Sequence, residues 1–80
     1  MKREEILSKL NEIFCVIFDD DTLKITESTS ADDIEDWDSM EQINILMACE
    51  EKFQMKFDVK EAAMLACVGD IIDLLDNKLN

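Results

Sequence analysis

Eighty residues make one small domain, close to the lower limit at which an apolar core stands without disulfides or metals. Apolar residues form 48% of the chain, enough for such a core, yet nowhere do they run on for the roughly 18 residues that a membrane span requires. A formal net charge of −12 repels nucleic acid and anionic lipid and favours soluble partners with basic patches.

The three cysteines, Cys15, Cys49 and Cys67, are odd in number, stand in apolar surroundings and form no C-x-x-C pair. They are expected to be free, buried, reduced thiols. The chain has no histidine, which counts against zinc ligation and against Ser-His-Asp chemistry. "MKREEILSKL" lacks the unbroken apolar stretch of a signal peptide, so a cytoplasmic protein is expected.

The first element in chain order is a helix over 3–18. Ile6, Leu10, Ile13, Phe14 and Ile17 fall at helical spacing, with Leu7 and Phe18 widening the stripe. "DDDT" stops it. From Asp19 to Asp38 no periodicity survives, and a loop of that length in so small a domain points to function. Leu23, Ile25, Ile34 and Trp37 are its expected anchors over the helices. Its acidic start does not fit an EF-hand. Counting from Asp19, the fifth position is Leu23, and Lys24 stands where glycine is required.

A second helix is expected over 39–53. A short third follows, where Asp58 and Glu61 form a D-x-x-E capping pair ahead of "VKEAAML". A fourth runs over 68–79 with Val68, Ile71, Ile72 and Leu75 on one face. Its start lacks a good cap, because Cys67 occupies the capping position. Gly69, the one glycine, serves close packing there and not a phosphate loop. No strand is needed. The expected fold is all-α: a small four-helix bundle of three main helices and one short one, with a long first loop, as a single domain over 1–80.

The second helix has two apolar stripes. At 100° per residue from Ser39, Ile45, Leu46, Cys49 and Phe53 fall at roughly 240–340°, whereas Met40, Ile43 and Met47 fall at roughly 40–100°. The first continues to Phe53 and carries the cysteine, so it is assigned to the core. The second lies beside Ser39 and is rich in methionine, a residue suited to surfaces that accept several partners. The alternative is a central helix buried on both sides.

Ser39 stands between Asp38 and Met40 at the start of this helix. S-x-x-Q with Gln42 and D-x-x-E from Asp38 to Glu41 are both capping patterns, so either residue can cap. If Asp38 does, the Ser39 hydroxyl projects outward. It is no catalytic nucleophile, because no histidine is present to take its proton and the nearby carboxylates are too weakly basic. A phosphate ester there would sit at a helix N-terminus, which favours negative charge.

"DDIEDWDSMEQINILMACEEKF", followed by "VGDIIDLL", resembles the prosthetic-group site and last helix of acyl carrier proteins. The resemblance spans essentially the whole chain. It implies that Ser39 carries 4′-phosphopantetheine, attached as a phosphodiester by a phosphopantetheinyl transferase. The arm holds acyl or aminoacyl groups as thioesters, which a loading enzyme supplies and a downstream transferase or synthase consumes. On this reading the protein is not an enzyme, holds no metal and acts as a monomer. Asp38, Met40, Glu41, Ile43 and Met47 match the positions through which the family docks to basic, partly apolar enzyme surfaces, and Glu50 and Glu51 extend that surface. Leu46, Leu65 and Ile72 are the candidate lining residues for an acyl chain folded back into the bundle. Met40 replaces the usual leucine, and Asn44 stands where housekeeping fatty-acid carriers place an acid. With Trp37, these departures look more like freestanding carriers of specialised pathways: polyketide, aminoacyl, or cell-surface glycan and lipid modification.

Two other readings compete. One is an aminoacyl or peptidyl carrier. The other is a small acidic helical adaptor or inhibitor without a prosthetic group, which would use the same acid and the same Met40/Ile43/Met47 strip and differ only at Ser39.

Overall fold

The computed structural model describes residues 1–63 and 65–79. Among them the chain forms four helices: α1 (Arg3–Ile17), α2 (Ser39–Phe53), α3 (Val59–Ala63) and α4 (Val68–Leu79). No strand occurs among these residues. Ser30 and Cys67 form an isolated antiparallel bridge. No helix is long and apolar enough to cross a membrane. Met64, in the apolar end of the segment read as the third helix, lies outside the described residues.

α1 buries Ile6, Leu10, Ile13 and Phe14, the expected stripe. It ends one residue earlier than expected, because Phe18 is its C-cap. The stop is a Schellman motif built without glycine. Asp19 takes the left-handed conformation at φ 52°, and the N–H groups of Asp19 and Asp20 donate to the carbonyls of Val16 and Cys15 at 3.3 and 3.0 Å. Asp20 then organises the turn that follows, its Oδ1 accepting from both Thr22 N–H and Thr22 Oγ1. The acids at this position therefore serve chain reversal. These hydroxyl and N–H donors hold the Asp20 carboxyl below its ordinary range.

The long loop is tied down by side chains and by backbone. Ile25 and Trp37 are buried in the core, and Leu23 and Ile34 pack against it. Asn11 of α1 grips the loop with both ends of its amide, donating to Leu23 O at 3.1 Å and accepting from Ile25 N–H at 2.7 Å. Further along, the loop caps α4. Val68 N–H donates to Thr29 O at 2.8 Å and Gly69 N–H to Glu27 O at 2.7 Å, which satisfies donors that a helix start leaves open. A side chain at 69 would not fit, since a Cβ there would lie 2.8 Å from Glu27 O. Arg3 of α1 clamps the same junction through Glu27 of the loop and Asp73 of α4.

α1 lies against both α2 and α4. The core gathers α1's stripe, Ile45, Cys49 and Phe53 from α2, Val68, Ile71, Ile72 and Leu75 from α4, and Ile25 and Trp37 from the loop. α3 is capped as its sequence implies. Glu61 Oε1 accepts from Asp58 N–H at 2.9 Å, and Asp58 Oδ1 from Lys60 N–H at 3.2 Å.

Candidate functional site

The start of α2 settles which residue caps it. Asp38 has extended backbone angles, and its Oδ1 accepts from Glu41 N–H at 2.9 Å. Its carbonyl accepts from Gln42 N–H at 2.9 Å. Ser39 is thus the first helical residue. It is exposed, and the cap does not use its hydroxyl. The S-x-x-Q box does not form. Gln42 instead turns to Trp37, accepting from the indole Nε1 at 2.7 Å.

The two stripes of α2 separate cleanly. Ile45, Leu46, Cys49 and Phe53 are buried. Met40, Ile43 and Met47 are 74%, 58% and 61% exposed, so the helix is not buried on both sides. They form an apolar strip running down α2 from Ser39. Asp38 and Glu51 are exposed beside it. Glu41 is half-buried and accepts from Asn44 Nδ2 at 2.7 Å. Glu50 is partly committed to structure: its Oε2 accepts from Phe57 N–H at 2.8 Å, holding the α2–α3 connection.

Next to Ser39 lies a cleft of about 430 Å³, lined by Ala31, Trp37, Asp38, Gln42, Ala62 and Leu65 as well as the serine itself. Of the three candidate acyl-lining residues, only Leu65 lines this cleft. Leu46 and Ile72 are buried and contribute to neither this cleft nor the second hollow that Leu65 borders, between α3 and α4. Sequence reasoning used Trp37 as a loop anchor and in the family resemblance, and Gln42 as a possible partner in capping, without pairing the two. The available signal was the pairing of one indole donor with one amide acceptor five residues on.

The cysteines depart from expectation. Cys49 is buried, but Cys15 and Cys67 are only half-buried. Cys15 lies at the edge of α1's stripe, where its Sγ donates to Leu23 O at 3.4 Å, and Cys67 lies at the loop–α4 junction. Burial, reinforced by the charge of Glu50, pushes the Cys49 thiol up to about 12. Among the described residues, no group of three or more His, Cys, Asp or Glu is arranged to hold a metal ion.

The start of α2 thus combines an exposed serine, an apolar strip beside it and acids on its flanks. The comparisons with known proteins name the class. The chain is 32% identical over 80 residues to the acyl carrier protein of Thermosynechococcus vestitus, covering 99% of this chain and 98% of that one. It matches the solution structure of holo acyl carrier protein from Geobacter metallireducens with a TM-score of 0.84 and 42% identity, over 91% of this chain and 84% of that one. It matches the crystal structure of acyl carrier protein from Thermotoga maritima with a TM-score of 0.86 and 25% identity, over 99% of this chain and 92% of that one. No protein-family model matches. The chain belongs to the acyl carrier protein family.

Proposed function

We propose that Ser39 is the attachment point of 4′-phosphopantetheine. On this reading the chain is a single domain that catalyses nothing and passes cargo between cytoplasmic enzymes as a monomer. The observation that carries the reading is the division of labour at the start of α2. Asp38 supplies the cap, and the hydroxyl of the next residue is left exposed on a rigid helix.

The residues present fit the group. A phosphodiester on Ser39 Oγ would sit at a helix N-terminus, where the dipole favours its single negative charge. Asp38 opposes this in part, and the exposure of both groups lets water screen that repulsion. The cleft beside Ser39 offers the arm a wall of Trp37, Leu65 and two alanines. When bound, the group supplies a thiol that holds cargo as a thioester.

The chain's own residues orient and recognise. Asp38 fixes the helix start, and Met40, Ile43 and Met47 give a partner an apolar contact. Asp38, Glu41 and Glu51 draw in a basic surface. The transferase that attaches the arm, a loading enzyme and a downstream transferase or synthase are the partners. Asn44 ties back Glu41 where a housekeeping carrier places another acid. With Trp37 beside the site, that favours a freestanding carrier of a specialised pathway.

The test is intact mass after coexpression with a broad-specificity phosphopantetheinyl transferase. Wild type gains one phosphopantetheine and Ser39→Ala gains none while staying folded, because Asp38 keeps the cap. A wild type unchanged by several transferases, or a labelled Ser39→Ala protein, overturns the reading and leaves the adaptor without a prosthetic group.

A further inference from the structure

Gln42 occupies an unusual position. Its side chain is anchored by Trp37 Nε1–H, which donates to Oε1 at 2.7 Å. That donor fixes the amide's orientation, since turning it over would set N–H against N–H. Nε2 is then buried with no hydrogen-bond partner, the only buried side-chain nitrogen or oxygen so placed among the described residues. The Oε1 end of the amide gives the buried indole N–H its acceptor, whereas an unpartnered buried donor such as Nε2 is destabilising. Satisfying the indole accounts for one end of the glutamine and not for the other. Local rules broken in this way concentrate at functional sites.

Its surroundings indicate what the glutamine does. Trp37 immediately precedes the capping residue. Its ring is buried edge-on against Phe14, with centroids 5.2 Å apart and planes at 87°, and its backbone N–H donates to Ile34 O at 3.1 Å. The indole therefore joins the end of the loop to the core, and Gln42 joins the indole to the first turn of α2. Between these two tied points lie Asp38 and Ser39. Two residues bridged by a side-chain bond across five positions have little freedom to swing.

We propose that Gln42 is a positioning residue for Ser39: through its hydrogen bond to Trp37 it fixes the angle at which the chain enters α2, and so the direction in which the serine hydroxyl meets the active site of the transferase. The proposal rests on Ser39 being the attachment point. Gln42 is half-buried and lies outside the exposed strip of Met40, Ile43 and Met47, so its effect falls on the reaction of bound protein and not on docking.

The experiment uses Gln42→Met, which removes the acceptor and the orphaned nitrogen together, Trp37→Phe, which removes the donor and keeps a ring, and the double variant. Each is followed by transferase kinetics, melting temperature and hydrogen exchange of the indole N–H, which gives a single signal because the chain has one tryptophan. Gln42→Met is expected to melt somewhat below wild type, because the buried indole N–H loses its acceptor, yet to stay folded at assay temperature, exchange its indole proton faster, and lose about tenfold in kcat of modification at unchanged KM, as small misplacements of a reacting group do. The double variant should be no slower than the slower single, since both remove one bond. Wild-type kcat in Gln42→Met, with wild type itself modified, overturns the proposal alone. So does a loss in the double variant equal to the product of the singles. A wild type that no transferase modifies removes the attachment site and the proposal with it.

Discussion

The two faces of α2 carry similar side chains to opposite ends. On one, Ile45, Leu46, Cys49 and Phe53 are shut from solvent; on the other, Met40, Ile43 and Met47 stand more than half exposed. Isoleucine occurs on both, so residue type alone does not decide burial. What decides it is position relative to the core, which α1, α4 and the loop residues Ile25 and Trp37 build against Ile45, Cys49 and Phe53. Scattered exposed apolar residues are ordinary, but three aligned on one helix beside Ser39 form a continuous apolar strip. One face of the helix holds the fold and the other is left to solvent.

Stability should separate the faces most strongly. Ile45→Ala is expected to lower unfolding free energy by about 2–5 kcal/mol, the usual cost of truncating a buried aliphatic side chain. Met47→Ala, Met40→Ala and Ile43→Ala should each fall within about 0.5 kcal/mol of wild type, as surface substitutions do. Denaturant titration of the four proteins checks this. A Met47→Ala protein as unstable as Ile45→Ala would place the strip in the core and remove the docking surface.

The junction between loop and α4 gives the next effect. Gly69→Ala puts a Cβ against the Glu27 carbonyl, and both atoms belong to backbone already bonded together. Overpacking of this kind costs about 1–3 kcal/mol. Neither Gly69 nor Glu27 lines the cleft beside Ser39 or takes part in the cap of α2, so modification of the folded variant should proceed at the wild-type rate. A slowed transferase reaction would mean that the loop couples this junction to the carrier site.

That junction also shows where the sequence stops being legible. Helical periodicity located α1, α2 and α4 and a capping pair located α3, and three of the starts or stops carry a side-chain signature: Asp38 at α2, Asp58 with Glu61 at α3, and the aspartates after α1. α4 has no capping side chain at Cys67: Asp70 reaches back to accept from Ala66 N–H at 2.9 Å, but the N–H groups of Val68 and Gly69 are met by the carbonyls of Thr29 and Glu27. Backbone acceptors about forty residues away leave no trace in composition. The strip on α2 was visible as a second stripe, but its exposure was not, since periodicity reports faces and not neighbours. Ser39 was visible as a motif, whereas the release of its hydroxyl by Asp38 needed the geometry. The Trp37–Gln42 bond was missed because Gln42 already had a plausible local role in capping.

Binding kinetics should divide the exposed face further. Reversing the charge at Glu41 should slow association with the transferase, and added salt should shrink the defect, since steering by exposed charge fades beyond about 8 Å at physiological ionic strength. Met47→Ala should instead speed dissociation with little dependence on salt. Identical salt dependence in the two variants would collapse the distinction between steering and contact.

The thiols test the buried face chemically. Native protein should show Cys49 as the slowest to react with a thiol reagent, because burial both blocks access and keeps the group protonated, its pKa pushed up to about 12. Cys15 and Cys67, half-buried, should react sooner, and denaturant should equalise all three. Reaction of Cys49 at the pace of the other two in native protein would mean that the core stripe opens on the timescale of labelling.

The smallest effect concerns acids that hold structure, set against those displayed to partners. Glu61 accepts from Asp58 N–H at the start of α3 and pairs with Lys78 of α4 at 2.9 Å. The backbone N–H, then the lysine, hold its carboxyl below the ordinary value of 4.5. A carboxyl whose folded pKa is depressed contributes stability that is present above its unfolded pKa and lost as pH falls through the folded one. Raw acid titration of the protein will not isolate this. The chain bears a net charge of −12, and protonating its many carboxylates also relieves self-repulsion, with the opposite sign. Glu61→Gln removes the charge and keeps an oxygen for Asp58 N–H, so the difference between the two proteins cancels the background. Wild type should be modestly the more stable near neutral pH, and the gap should close as pH falls from the ordinary glutamate range through the depressed value. Denaturant midpoints over a pH series measure it. A gap constant across that window would show that Glu61 acts through its hydrogen bond alone and that Lys78 adds nothing.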